Sequence, residues 1–471
     1  MMVNHRNDTK VKMKMEENQL FSVNEIERIL GANLEGAPGI LRSFISGIAI
    51  DSRSIKNGDL FVAIPGEKFD GHDFVISAFN NGAVAAIVNK SYQVSNLPDT
   101  AALFHVDDTV FALGELAKNH REKMNGLIIA ITGSNGKTTV KNLIFHVLMG
   151  YANSIKSKGN FNNFYGLPLS LFEMNQDHQY GVFELGMSAE GEIRRLSEIA
   201  SPSVAVVTNV GPAHMEFFDT IGDIAKAKLE IVENIKSDGS LIIKGDDENL
   251  INVLGEYKNN MITFGYTEDS GIYPVDLEFD ENQLSSFTVD NVVFKSPLAG
   301  KHNVYNLLAT IAVSKTIGID LELVSERLAN YVPEGMRSEV IEKNGIKVIL
   351  DCYNANPVST KFALDTLANM KADGRRIAVI GDMLELGEKS SEYHREIGTY
   401  ASELQIDSLF SYGQLSQTIT EQFGDNGKHF DDKASLLNKL TNFVREGDII
   451  LFKGSRGMAL EDVAYKLMET I

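Results

Sequence analysis

Residues 127–139 read LIIAITGSNGKTT, an apolar run that breaks into a glycine-containing loop, ends in Lys-Thr-Thr and continues into VKNLIFHVLMG. A strand, a tight loop and a helix in that order point to a parallel α/β sheet whose loop lies at a strand's carboxyl end. Such a loop is a phosphate cradle. Backbone N–H groups of Gly133, Ser134, Asn135 and Gly136, with the helix start at Lys137, Thr138 and Thr139, face an anion that the helix N-terminus favours. Lys137 reaches the β/γ oxygens and Thr138 offers its hydroxyl to Mg²⁺, so the expected chemistry is nucleotide-dependent. The spacing departs from G-x-x-x-x-G-K-[ST], because Ile131 stands where the first glycine would be.

At 471 residues and 43% hydrophobic content the chain exceeds one ordinary core. Three α/β domains are expected after an extension over residues 1–19. Residues 20–106 form a small α/β substrate module with short strands (SGIAI, LFVAI, AAIV) and one helix near Phe74–Asn81. Residues 107–332 begin with the helix FALGELAKNHREK and carry LIIAIT, YGVFEL, SVAVVTNV and SLIIKG, apolar runs of the kind found in P-loop ATPase-type parallel sheets. The turn Val332-Pro333-Glu334-Gly335 ends that domain. Over 333–471, IKVILDCY, RRIAVIGDM, DSLFSYG and DIILFKGS repeat the pattern and predict a Rossmann-like sheet.

Charge and cysteine content narrow the partners. The formal charge of −20 argues against nucleic acid, whose phosphates need a basic footprint. A single cysteine, Cys352, excludes an internal disulfide and fits a reducing compartment. No apolar run is as long as a membrane span, and no signal-peptide order opens the chain. A cytoplasmic monomer without a membrane segment is the expectation.

Several residues at strand ends carry chemistry. Glu184 closes YGVFEL, where a carboxylate beside a phosphate loop can hold Mg²⁺. His214 follows SVAVVTNV as a loop histidine, a hydrogen-bonding or metal-binding residue. Asn303 and Asn306, three apart at a helix start, suit an adenine edge, while Asn303 also suits an N-cap. Asn160, Asn162 and Asn163 lie in a segment without periodicity, as in turns. Lys453, Ser455 and Arg456 stand between a buried strand and a helix, a combination that attracts carboxylate or phosphate. Lys228 reads, on residue type alone, as an exposed helix lysine paired with Glu230 or Glu233.

The loop TGSNGKTT resembles that of the Mur ligases and folylpolyglutamate synthases, which form amide bonds through acyl phosphates. DSRSIKNGDLFVAIPGEKFDGHDF, GNFNNFYGLPLSL, FELGM, AKAKLEI, GKHNVYNLLA, DCYNANP, GDMLELGE and LFKGSRGM resemble, in that order, segments of the Mur ligases, specifically those that add D-alanyl-D-alanine. The resemblance implies two Mg²⁺ ions, with Thr138, Glu184, His214 and Lys228 as ligands. It makes Lys228 a carbamylated lysine, with Lys226 as the competing candidate. It places Arg337 and Asp351 on the nucleotide, and Asn160, Asn162 and Asn163 at the reaction centre. It puts Asp51, Ser52 and Arg53 at the uridine-diphosphate end of a UDP-N-acetylmuramoyl-tripeptide site, with D-Ala-D-Ala as the amine. Lys137, His214 and Lys228 are then the catalytic residues. A folylpolyglutamate synthase-like ligase and a non-catalytic nucleotide switch remain the alternatives.

Overall fold

Strands that are apolar on both faces need helices on both sides of their sheet, and this requirement governs most of the chain. The computed structural model describes residues 19–36, 39, 43–66, 68–94, 97–213, 215–255, 260–333 and 335–471. The expected extension up to residue 18, His214 and Glu334 of the boundary turn lie outside the described residues. The chain divides into two compact units, one of residues up to 128 with 152–185 and 195–202, the other of 129–151, 186–194 and 203–471.

In the first unit, Asn33–Gly36, Ala102–Val106, Ala85–Asn89, Asp59–Val62 and Gly47–Ala49 lie side by side in one five-stranded sheet. All its pairings are parallel except that of Asn33–Gly36 with Ala102–Val106. Leu60 and Val62 join one core with Phe21, Ile87 and Phe104, whereas the alternating Phe61 and Ala63 join another with Val75, Phe79 and Val88. The expected single helix near Phe74–Asn81 is present as Val75–Asn80 after a 3₁₀ turn over Gly71–Phe74. It is not alone, which corrects the expectation: Val23–Leu30 is also helical. Ser22 caps it by accepting from the N–H of Glu25, Gly31 ends it in the left-handed region at φ 55°, and Val23 and Ile26 are buried. A serine cap is worth about 1 kcal/mol. The same unit pairs Tyr180–Glu184 with Ser154–Lys156 in parallel.

In the second unit, Asn260–Phe264, Ser240–Lys244, Val204–Val207 and residues 129–132 of the strand Leu127–Thr132 are consecutive parallel neighbours. The helix Lys137–Met149 follows the last of these, as the phosphate-loop reading requires. Val275–Phe279, Leu284–Val289 and Val292–Ala299 form a three-stranded antiparallel sheet that the apolar-run reading did not foresee. The C-terminal sheet runs Glu339–Lys343, Ile346–Asp351, Ile449–Lys453, Arg376–Gly381, Ser408–Tyr412, Gly427–Phe430. Only its first pairing is antiparallel. Its faces are both covered: Val348, Leu350 and Phe452 pack into one core, Ile349, Ala378 and Leu451 into the other. Among the described residues no helix is long and apolar enough to cross a membrane.

Candidate active site

The loop after Leu127–Thr132 is shaped by its two glycines. Gly133 has φ 146° and Gly136 φ 82°, and a Cβ on them would come within 1.9 Å of Thr208 Oγ1 and 2.4 Å of Asn306 Oδ1. Positive φ and these close side-chain oxygens together favour glycine at both positions. Ser134 N donates to Asn209 O (2.9 Å) and Asn135 N to Asn209 Oδ1 (3.0 Å), while Asn135 O accepts from Thr208 Oγ1 (2.6 Å) and Asn209 Nδ2 (3.1 Å). Ser134 Oγ accepts from Gly211 N and donates to Gly211 O. The backbone amides of Ser134 and Asn135 therefore serve the loop itself. Helical bonding begins with Val140 N to Gly136 O, so the loop runs into a helix N-terminus, an end that favours an anion. Lys137 Nζ donates to Gly133 O over 2.7 Å and so lies across the loop.

Two lysines compete in the helix Ile221–Leu229, and burial separates them. Lys226 is 68% exposed and pairs with Asp223 at 2.9 Å, an ordinary surface contact. Lys228 is 2% exposed. Burial, and then the positive charge of Lys137, push its amine well below the usual lysine range. The expected surface pairing with Glu230 or Glu233 is not formed. Both carboxylates bind Arg194, and Glu230 also accepts from the N–H groups of Gly191 and Arg194. Burial disfavours the ammonium form of Lys228, and this separates it from the solvent-facing Lys226.

The helix Lys301–Thr316 is preceded by Gly300, which corrects the N-cap option for Asn303. Asn303 is buried inside the first turn, donating to Ala299 O (2.8 Å) and accepting from Asn306 Nδ2 (2.8 Å). Asn306 then stands against Gly136, which brings the two asparagines and the phosphate loop together. His302 stacks on Phe362 with centroids 5.4 Å apart, and burial lowers its pKa to about 4. Asp351 accepts from Ser338 N (3.1 Å) and pairs with Lys453 at 2.8 Å. Lys453, 2% exposed, also donates to Asn354 O. The guanidinium of Arg337 lies 3.8 Å from the centre of the Tyr353 ring, between Met336 and Ser338 at φ 58° and 54°. Ser455 Oγ accepts from Leu384 N (2.9 Å), and Arg456 pairs with Glu461. Cys352 is buried, its thiol pushed up to about 12 by burial and then by Glu461, so it is no nucleophile.

In the first unit, Asp51 caps the 3₁₀ turn Ser52–Ser54 and takes the Arg53 guanidinium, whose hydrogen bond brings its carboxyl down to about 2. The Arg53 side chain is 87% exposed, while Ser52 is buried and its carbonyl accepts from Asn81. Asn162 donates to Glu184 Oε1 over 2.9 Å, joining two residues singled out separately in sequence. Asn163 Oδ1 accepts from Gly166 N, the first residue of the helix Gly166–Phe172, and Asn160 is exposed. Sequence reasoning missed Thr208, Asn209 and Asn356. Their signals were a place just after apolar strands and, for Asn356, the segment DCYNANP.

Family models match in three consecutive stretches: "Mur ligase family, catalytic domain" over residues 44–121, "Mur ligase middle domain" over 131–314, and "Mur ligase, glutamate ligase domain" over 336–456. The UDP-N-acetylmuramoyl-tripeptide--D-alanyl-D-alanine ligase of Bacillus subtilis (strain 168) is 39% identical over 92% of this chain and 95% of its own. A crystal structure of MurF from Acinetobacter baumannii superposes with a TM-score of 0.87 at 31% identity, covering 95% of this chain and 99% of that one. MurF ligase from Thermotoga maritima in complex with ADP gives 0.81 at 31% identity, over 90% and 97%.

Proposed function

Since the chain belongs to the Mur ligase family, we propose that it is the ATP-dependent ligase that joins D-alanyl-D-alanine to UDP-N-acetylmuramoyl-tripeptide in peptidoglycan precursor synthesis. The observation that carries this reading is near-full-length similarity to ligases of that one specificity. We assign residues 20–106 to the UDP-sugar-peptide, 107–332 to ATP and 333–471 to completing the reaction site.

The tripeptide's terminal carboxylate attacks the γ-phosphorus of ATP, ADP leaves, and the dipeptide amine attacks the acyl phosphate to give a tetrahedral intermediate that expels phosphate. The loop glycines and the helix start hold the phosphates, and Lys137 supplies positive charge to the transferring group. Asn306, backed by Asn303, lies against this loop and is suited to an adenine edge. Asn162 orients Glu184 through its carboxylate oxygen. The oxygen donors Thr138 and Glu184 suit magnesium, and Lys228 would offer an oxygen donor only as a carbamate, because magnesium prefers oxygen to nitrogen. Bound Mg²⁺ would supply charge neutralisation on the phosphates. The burial of Lys228, which disfavours its charged form, supports the carbamate assignment over the exposed Lys226.

The test is ADP release with UDP-N-acetylmuramoyl-tripeptides ending in meso-diaminopimelate or lysine, each with and without D-Ala-D-Ala. Release that requires both the nucleotide peptide and the dipeptide is expected. Release driven by a folate and glutamate, or none with any amine, would overturn the reading.

A further inference from the structure

The strand Asn260–Phe264 ends its sheet, with Ser240–Lys244 on one side only. Successive residues of a strand turn their backbone groups to alternate sides. Thr263 O accepts from Ile272 N (2.9 Å) and Gly265 N donates to Ile272 O (3.0 Å), so residues 261, 263 and 265 face outward. Ile272, bridged in parallel to Phe264 and buried, is a single residue added to this edge from a later turn of the chain. Two residues nearer the strand's start the edge is bare. Met261 is 41% exposed, and among the described residues its outward N–H and C=O have no partner.

A bare edge is a template for pairing with another chain. This one borders a cavity of about 350 Å³, whose lining includes Met261, Ile262, Ile272, Ala312, Lys315 and Thr316. That volume lies within the range of ligand sites. The second wall is the helix Lys301–Thr316, whose Ala312, Lys315 and Thr316 share one face. The helix starts at the sheet's carboxyl edge, where Asn306 stands against Gly136, so Lys315 in its last turn lies toward the strands' amino ends. The Lys315 side chain is 51% exposed and pairs with the equally open Asp290 at 2.5 Å. A pair this exposed contributes little, so its ammonium is free to change partners.

We propose that this groove binds the extended, apolar C-terminus of a partner protein. One peptide residue exchanges both of its backbone hydrogen bonds with Met261 in the antiparallel sense, which sends the peptide's end toward Lys315. Its aliphatic side chain enters between Ile272 and Ala312, and the terminal carboxylate draws Lys315 from Asp290. Ile272 already uses the same edge in this way, so the fold need not change to admit a second residue.

The test is calorimetric titration of the full chain with acetyl-Thr-Val-Val bearing a free carboxylate. The same peptide as its C-terminal amide, and with its middle amide nitrogen methylated, are the comparisons. Saturable one-to-one binding of the free acid is expected, roughly tenfold weaker after either change. Lys315→Met keeps the apolar stem and should bind acid and amide alike. Met261→Pro, which an edge strand tolerates where the lost N–H faces outward, should weaken the free acid about tenfold. Thermal melts check that both variants are folded, and Lys315→Met, a surface change, keeps the test decisive if Met261→Pro is not. No saturable binding, a free acid that binds no better than the other two peptides, or wild-type acid preference in Lys315→Met overturns the proposal. None of these results bears on the ligase reading.

Discussion

The side-chain amide of Asn356 donates to Oδ1 of Asn135 over 2.7 Å, tying the loop after Ile346–Asp351 to the phosphate loop. The same carboxamide accepts from Ser359 N (2.9 Å) while Ser359 Oγ accepts from Asn356 N (3.1 Å), a capping box at the start of Pro357–Asn369. One residue therefore starts a helix with its oxygen and steadies the nucleotide loop with its nitrogen.

These two tasks separate by substitution. Asn356→Asp keeps a good cap but turns a carboxylate toward the phosphate loop, so kcat/KM for ATP should fall about tenfold, or ~1.4 kcal/mol, with little change in melting temperature. Asn356→Ala should lose about 1 kcal/mol of stability as well. Steady-state kinetics and thermal melts check both, and normal ATP kinetics in the aspartate variant would remove the link between the loops from the account.

Lys137→Ala removes the cation that lies across the loop without touching a core side chain. Turnover should drop by roughly 10² to 10³ with the melting temperature nearly unchanged, because the charge acts on the transferring phosphoryl group. Near-normal turnover in a folded variant would contradict the role given to this loop.

Local patterns made much of this legible. The phosphate loop, the strand-end Glu184 and the apolar runs that form the interiors of the sheets announce themselves within a few residues. The helix Val23–Leu30 had its signals, Ser22 and Glu25 in capping positions and Gly31 at the end, but it sits in a stretch read only for strands. The edge strands Glu339–Lys343 and Gly427–Phe430 are half exposed and carry charge, so no apolar run marks them. Asn209 and Asn356 were beyond reach for another reason. Their partner Asn135 is 74 and 221 residues away, and only the fold brings them to it. Lys228 shows the same limit, since its burial, not its spacing, separates it from Lys226.

His302 predicts a pH dependence. Burial lowers its pKa to about 4, the Asp351 charge opposing that shift and Lys453 adding to it, and Nδ1 has no hydrogen-bond partner among the described residues. The folded state keeps the ring neutral where the unfolded chain, with an ordinary value near 6.5, takes up a proton. Stability should therefore fall as pH drops from about 6.5 toward 4 and lose nothing further to this group below that. Urea melts across this range should show a shallower fall for His302→Gln. An identical slope in both proteins would remove His302 as the cause.

The carbamate proposed for Lys228 would put a negative charge at a buried position. Lys228→Ala should lose most activity, and high acetate should restore part of it by returning a carboxylate to the vacated place. Labelling with ¹³CO₂ at neutral pH should place a carbamate carbon on the wild type and not on the variant. Full activity in Lys228→Ala, or no label, would withdraw the carbamate.

The most direct test of the account is the fate of oxygen. With both oxygens of the tripeptide's terminal carboxylate labelled as ¹⁸O, an acyl-phosphate route leaves one label in the new amide and delivers the other to phosphate when the amine of D-Ala-D-Ala displaces it. One ¹⁸O in each phosphate released, matched to ADP and amide formed, is the predicted result. Unlabelled phosphate alongside normal amide formation would contradict carboxylate activation by ATP.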